Sequence, residues 1–437
     1  MAGDWELAPL SHLCAQIADC PYSTPLWTDS GVIVLRNQNI REGRLDLSSP
    51  SYTDEAHFEQ RSRRARLKAG DLVLTREAPM GEVRMIPENL RCCLGQRMVM
   101  LRPDPQKCDS RFLLYSIQSD AVQHEIKVNE GTGSTVSNLR IPLLEALLPI
   151  PHPPLAEQKA IAAVLGALDD KIELNRRMNA TLETMARALF QSWFVDFDPV
   201  RAKLDGGQPV GLDPGTAALF PDSFQDTEAG HIPNGWSVGR VADAYDFSRS
   251  SINPGGFAGE TFDHYSLPAF DAGRTPKAEL GSAIMSNKLV VTCNSVLLSK
   301  LNPHIPRIWL PDLHATRRSV CSTEFIVAST RLGYSREFLF SLFTSAAFAS
   351  TFCTLVTGTT GSHQRLRPES VLDMKTVIPP SPLVEAFTAV AKPIFDKINR
   401  NIDQSRTLAI LRYTLLPKLL SGQLQVPDAR QLTEAHA

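Results

Sequence analysis

The feature that most limits what this chain can fold into is a helical stretch from Pro151 to Phe197 that returns 226 residues later. Pro151, Pro153 and Pro154 end whatever precedes them, because proline fixes φ and removes a backbone donor. After them Gly166 is the only breaker before Pro199. Apolar residues recur at Ile161, Val164, Leu168, Ile172, Met178, Leu182, Met185, Leu189 and Trp193. Steps of three and four lay one stripe along a helix. A helix of ~34 residues spans roughly 50 Å, and so narrow a stripe suits a coiled-coil seam.

Near the C-terminus the stripe reads Phe387, Val390, Ile394, Ile398, Leu408, Leu411, Leu415 and Leu419, and Asp170/Asp396, Lys171/Lys397, Asn175/Asn401, Thr181/Thr407 and Leu182/Leu408 are identities in the same register. Each stretch follows a proline-rich approach, LPIPHPPL in one copy and VIPPSPLV in the other. A period of half the chain is too long for a solenoid. It predicts a tandem duplication of a globular domain plus a long helix. Asn175 and Asn401 interrupt the two seams at matching places. A polar residue at one seam position fixes register, so an antiparallel pair would bring these two residues together at its centre.

The rest of the chain divides around the helices. Residues 1–150 read as a strand-rich mixed domain, with strands at 31–35, 72–76 and 97–101 and a helix from Ser110 to Ile126. Residues 151–197 are the first helix. Residues 198–231, rich in Asp, Pro and Gly and without a period, read as a connector. Ile232-Pro233-Asn234-Gly235-Trp236 opens a second domain over 232–380, the second helix covers 381–422, and 423–437 is a tail. The domain bodies barely align, whereas the helices and the Gly-Thr loops before them do. The expected fold is therefore α/β (α+β): two globular domains separated by two long antiparallel helices with pseudo-two-fold symmetry.

Composition sets outer limits. A run of about 18 apolar residues, as a membrane span requires, does not occur, and MAGDWELAPL lacks the features of a signal peptide. The eight cysteines form no CxxC pair, as expected of reduced cytoplasmic thiols. With a net charge of −2, any nucleic-acid surface must be local.

Catalytic motifs are missing: GxxxxGK[ST], a GxGxxG after a strand, and HExxH do not occur. Asn302-Pro303-His304-Ile305 falls short of the NPP[YF] of amino-group methyltransferases. Pro103-Asp104 with Glu125-Ile126-Lys127 fits the loose PD…ExK nuclease spacing, but Glu125 and Lys127 lie on an amphipathic helix face and the second copy has no counterpart.

The most concentrated positive charge is Arg61-Ser62-Arg63-Arg64-Ala65-Arg66-Leu67-Lys68. Phosphate contacts need such local charge, and Arg61, Arg63, Arg64 and Arg66 are assigned to them; a solvated face accounts for the cluster equally well. Arg36, Asn37, Gln38 and Arg41, on a turn after a strand, suit base edges. The Gly-Thr loops offer amides and hydroxyls to an anion: Thr132, Ser134 and Thr135 in the first copy, Thr359, Thr360, His363, Gln364 and Arg365 in the second. Lys300 and Asn302 complete the candidate set.

Pro154-Leu155-Ala156-Glu157-Gln158, Asp169-Asp170-Lys171-Ile172, the run from Leu189 to Phe197, Leu415-Leu416-Pro417-Lys418-Leu419 and Ile232 to Trp236 together resemble the specificity subunit of type I restriction–modification enzymes. The second copy departs from the pattern: Pro382-Leu383-Val384-Glu385-Ala386 lacks the Gln. The resemblance implies a non-catalytic subunit whose two target-recognition domains each read half of a split double-stranded DNA target. It implies helices that set the spacing and dock two methyltransferase subunits, with motor-nuclease restriction subunits joining. It places S-adenosylmethionine, ATP and Mg on those partners, with no cofactor here. A stand-alone nuclease or methyltransferase is the competing class, and a coiled-coil scaffold without DNA is a third.

Overall fold

The 226-residue repeat is carried by the backbone element by element. In the computed structural model, which describes residues 5–21, 23–41, 44–77, 79–128, 139–147, 149–313, 316–355 and 365–429, helices Ser110–Gln118, Asp120–Val128 and Leu155–Phe194 recur as Arg336–Thr344, Ala346–Thr354 and Ser381–Leu420. The expected single helix from Ser110 to Ile126 is thus two. Ser119 and Ser345 adopt extended backbone (ψ 148° and 147°) and stop the first helix in each copy. Each first helix starts on a capping side chain: Asp109 accepts from the Phe112 amide and Ser335 from the Phe338 amide.

Residues 1–174 and 404–437 form one compact unit and residues 175–403 the other, so each unit holds half of each long helix. The first unit has a four-stranded antiparallel sheet in the order Cys14–Asp19, Met98–Pro103, Leu72–Thr75, Val83–Met85. The second repeats it as Tyr245–Ser248, Phe325–Thr330, Ser295–Ser299, Ile308–Trp309. A smaller sheet follows the same logic. Val32–Leu35 pairs parallel with Cys92–Leu94 and antiparallel with Tyr52–Thr53. Thr261–Tyr265 pairs parallel with Ser319–Cys321 and antiparallel with Lys277–Leu280. The domain bodies that barely align in sequence therefore share a strand plan.

In both units the long helices pack antiparallel. In the second unit Asn175 Nδ2 donates to the Asn401 carbonyl (3.4 Å) and Asn179 Nδ2 to that of Ile398 (3.3 Å), while Phe190 and Phe194 meet Phe387 edge-on at 5.8 and 5.3 Å. In the first, Ile161, Val164, Leu165 and Leu168 share a core with Leu408, Leu415 and Leu419. The seam is not quite the expected stripe: Met185 and Val390 are 54% and 48% exposed, and Ala186 and Phe190 are buried instead. Here the helix packs on its partner and on the domain body at once, which turns the buried face and widens it.

Three expectations are corrected by packing. Residues 198–231 are not a bare connector. They form helices Asp198–Leu204 and Pro214–Ala218 and a hairpin, Phe224–Thr227 with Gly230–Pro233. Val200, Phe220 and Ile232 lie in the second unit's core with Phe194, Phe197 and Trp236. The tail begins the same way, with Val426 and Ala429 buried in the first unit. The helix offset also realigns the motif before each long helix. Pro154 accepts the amides of Glu157 and Gln158, and Pro380 those of Leu383 and Val384, so the counterpart of Gln158 is Val384 and not Ala386.

Gly166 is explained by a neighbour rather than by flexibility. A Cβ there would lie 2.4 Å from Arg111 Nη1, and Arg111 crosses the helix at that point to grip Asp170 through two bonds (3.0 and 3.1 Å). Beside it Asp169 accepts from the Tyr115 hydroxyl (2.7 Å) and Arg412 (2.5 Å). Burial and the Asp169 carboxylate push the Tyr115 hydroxyl well above its ordinary pKa. The second unit has Lys392 at the Gly166 position, paired within the helix to Asp396 at 2.7 Å, and Phe395 at the Asp169 position, packed on Phe340.

Candidate nucleic-acid interface

A parallel strand pair brings both C-terminal ends to one sheet edge, the place where open α/β sheets bind ligands. In the first unit Val32–Leu35 runs into Arg36-Asn37-Gln38, and Cys92–Leu94 into Gly95-Gln96-Arg97. The Gly95 amide donates to the Leu35 carbonyl at 2.6 Å, and a Cβ on Gly95 would lie 2.4 Å from that oxygen. Glycine therefore lets the two turns close on each other. Between them lies a cleft of about 440 Å³ lined by Pro25, Trp27, Arg36, Asn37, Gln38, Pro79, Gln96 and Arg97.

The predicted base-edge residues are thus brought together, and the structure explains how they are held. Asn37–Asn39 is a short 3-10 turn. Asn39, only 3% exposed, accepts the Arg36 amide (2.9 Å) and donates to the Asp46 carbonyl (2.9 Å). The Asn37 side chain donates to the Glu77 carbonyl at 2.5 Å. The Arg36 guanidinium lies 5.2 Å over the Trp27 ring, a stacking geometry that keeps the fork flat. Gln38 is exposed. Arg41 ends the strand Ile40–Arg41, paired with Arg44–Leu45.

The basic cluster divides. Arg61 is 5% exposed, and its guanidinium donates to the carbonyls of Leu94 (3.1 and 2.9 Å) and Ser23 (2.8 Å). It is an internal brace, which corrects its assignment to phosphates: a 5% exposed fork satisfied by main-chain carbonyls has no surface to offer. Arg66 is exposed but paired with Glu59 and stacked on Phe58. Arg63 and Arg64 are exposed, with no side-chain partner among the described residues, as a phosphate contact requires.

The second unit repeats the frame with other side chains. The Ser322 amide donates to the Tyr265 carbonyl (2.9 Å), as Gly95 does to Leu35. The Lys300 amide donates to the Glu324 carbonyl, as Arg76 does to Arg97, both at 2.8 Å. The Leu366 amide donates to Lys300 as the Leu139 amide does to Arg76. Glu324 therefore stands where the first unit has Arg97, and it pairs with Arg365 at 2.9 Å. Lys300, Asn302 and Arg365 gather at this edge through the Leu301–Arg365 bridge. Asn302 has a left-handed backbone (φ 51°), and its buried Oδ1 has no hydrogen-bond partner among the described residues. Thr132, Ser134, Thr135, Thr359, Thr360, His363 and Gln364 lie outside the described residues.

Trp27, Gln96 and Arg97 were missed by sequence reasoning. Gly95 between a strand and Arg97 was the one local signal, and it gains meaning only once the strands are known to be parallel. Asn175 and Asn401 are 2% and 1% exposed. The Asn401 side chain donates to Asn179 Oδ1 at 2.7 Å, so Asn179 is a third member that the seam pattern did not single out.

Two units on one strand plan, each presenting polar and charged side chains at the end of its parallel strand pair, make the chain a structural duplication. The family described as Type I restriction modification DNA specificity domain matches residues 5–184. The chain is 26% identical over 367 residues to the type I restriction enzyme MjaIX specificity subunit of Methanocaldococcus jannaschii, covering 82% of this chain and 78% of that one. It is 22% identical over 407 residues to the HindI specificity subunit of Haemophilus influenzae, covering 82% and 87%. The crystal structure of a type I restriction–modification system S subunit from M. genitalium shares its fold, with a TM-score of 0.57, 14% identity and 95% and 96% coverage.

Proposed function

We propose that this chain reads a split double-stranded DNA target, one half with each unit, as the non-catalytic subunit of a type I restriction–modification complex. The observation that carries the reading is the exchange at equivalent positions: Arg97 paired with Glu77 in one unit, Glu324 paired with Arg365 in the other. A shared frame with different reading groups supports two different half-sites. In the first unit Arg36, Asn37 and Gln38 read base edges while Arg63 and Arg64 hold phosphates; in the second Lys300, Asn302 and Arg365 line the reading edge. The long helices set the distance between the halves and dock two methyltransferase subunits, and Asn175, Asn179 and Asn401 fix their register. Chemistry that needs S-adenosylmethionine, ATP or Mg belongs to the methyltransferase and motor-nuclease subunits, and the complex works in the cytoplasm.

The test is to exchange residues 1–150 for the equivalent part of another specificity subunit and map methylated positions in cells. One half of the target changes and the other stays. If both change, or neither does, the division of labour is wrong. Methyl transfer or cleavage by the purified chain alone would favour a stand-alone enzyme.

A further inference from the structure

We infer that Arg97 reads a guanine in the half-site of the first unit. The inference rests on the DNA-reading role proposed above and adds to it one residue and one base. Arg97 sits in the left-handed backbone region (φ 67°), which residues with a side chain seldom occupy unless the surroundings hold them there. Here they do: its carbonyl accepts the Arg76 amide at 2.8 Å, and two residues earlier Gly95 is locked to Leu35. The backbone therefore delivers this side chain to the cleft wall facing Arg36, Asn37 and Gln38.

The side chain then meets one carboxylate. Its Nε lies 3.0 Å from Glu77 Oε2, in an ion pair whose Glu side chain is 19% exposed and whose Arg side chain is 52% exposed. The pair neutralises much of the charge a phosphate contact would use. It leaves Nη1 and Nη2, which have no hydrogen-bond partner among the described residues. Two coplanar donors match the O6 and N7 acceptors of guanine in the major groove. Adenine offers a donor at the corresponding position and pairs with Asn or Gln instead. At the equivalent place in the second unit Glu324 has no donor to offer, so the inference is confined to the first.

The experiment uses the complex assembled with the methyltransferase subunits. Its target is defined by sequencing methylated sites, and the first unit's half is identified by the 1–150 exchange. Arg97→Gly is the main variant, because glycine suits φ 67° and the fold is kept, as an unchanged melting temperature would verify. At one guanine of that half-site, on either strand, discrimination falls roughly 5- to 150-fold and the other positions keep theirs. Arg97→Lys, a charge without a planar fork, restores affinity but not discrimination. The inference is overturned if the half-site has no guanine, if no position relaxes, if the relaxed position is not a guanine, or if all positions weaken together as for a phosphate contact. If the wild-type complex methylates no defined sequence, the DNA-reading role itself fails, and this inference with it.

Discussion

Gln158 offers a stability experiment that the duplication itself designs. Its side chain is fully buried. Oε1 accepts the Asp109 amide (3.0 Å), and Nε2 donates to the carbonyls of Lys107 (3.0 Å) and Pro153 (2.9 Å). Asp109 caps the helix Ser110–Gln118, so one amide ties the first turn of the long helix to the domain body. In the second copy Val384, 1% exposed, fills the same place. Gln158→Val transplants that solution without its surroundings: the Asp109 N–H and the Pro153 carbonyl lose this partner, and the Lys107 carbonyl keeps only the His152 ring at 3.3 Å. Counting the donor in full and the carbonyls in part, because each keeps a second lone pair, gives about 3 kcal/mol. For a unit of roughly 200 residues, about 2–4 °C per kcal/mol makes a fall in Tm of about 6–12 °C. Scanning calorimetry of the full chain reads this as a shift of one transition, with the second unit's unmoved. The reverse change, Val384→Gln, buries an amide without partners and lowers the other transition. A shift under about 1 °C for Gln158→Val would refute the reasoning, because desolvation of the amide would then offset all three bonds.

Further outcomes follow from the same geometry. Asn401→Leu alone leaves Asn179 Oδ1 without its donor and costs about 1–3 kcal/mol. Replacing Asn175, Asn179 and Asn401 together by Leu restores the melting temperature but loosens the register, read by cysteine cross-linking along the helices; a triple variant that melts no higher than the single one would contradict this. Arg63→Ala with Arg64→Ala weakens target and non-target DNA alike and lowers the salt slope by about 2, whereas Arg61→Ala destabilises the first unit, since it removes three internal hydrogen bonds, two of them to the buried Leu94 carbonyl. An Arg61→Ala variant that melts like wild type would show that brace to be dispensable. Burial pushes the thiols of Cys14, Cys92 and Cys321 up to about 12, so at pH 8 they hold almost no reactive thiolate. Alkylation mapped by mass spectrometry should mark exposed Cys293 and Cys353 first; early labelling of Cys92 would count against its burial.

What was readable in the sequence was periodic or local. The apolar steps and the matched Asp, Lys and Asn located two helices 226 residues apart, and strand and turn residues placed Val32–Leu35, Leu72–Thr75 and the turn at Arg36. These signals lie within a few residues of each other, where backbone geometry alone dictates them. Tertiary structure decided the rest, through partners far away in the chain. Whether Leu35 runs parallel to Leu94 fixes that Arg36 and Arg97 share a cleft, and no residue at either strand announces the other. Arg61 and Arg63 are two residues apart in one basic run, yet Leu94 and Ser23 claim the first and leave the second to solvent. Gln158 and Val384 hold the same turn of the same helix, one by hydrogen bonds and one by apolar contact, because the choice depends on what the domain body places opposite. Charge and polarity in a sequence say what a side chain can bond, and only the packed chain determines which bonds are already made.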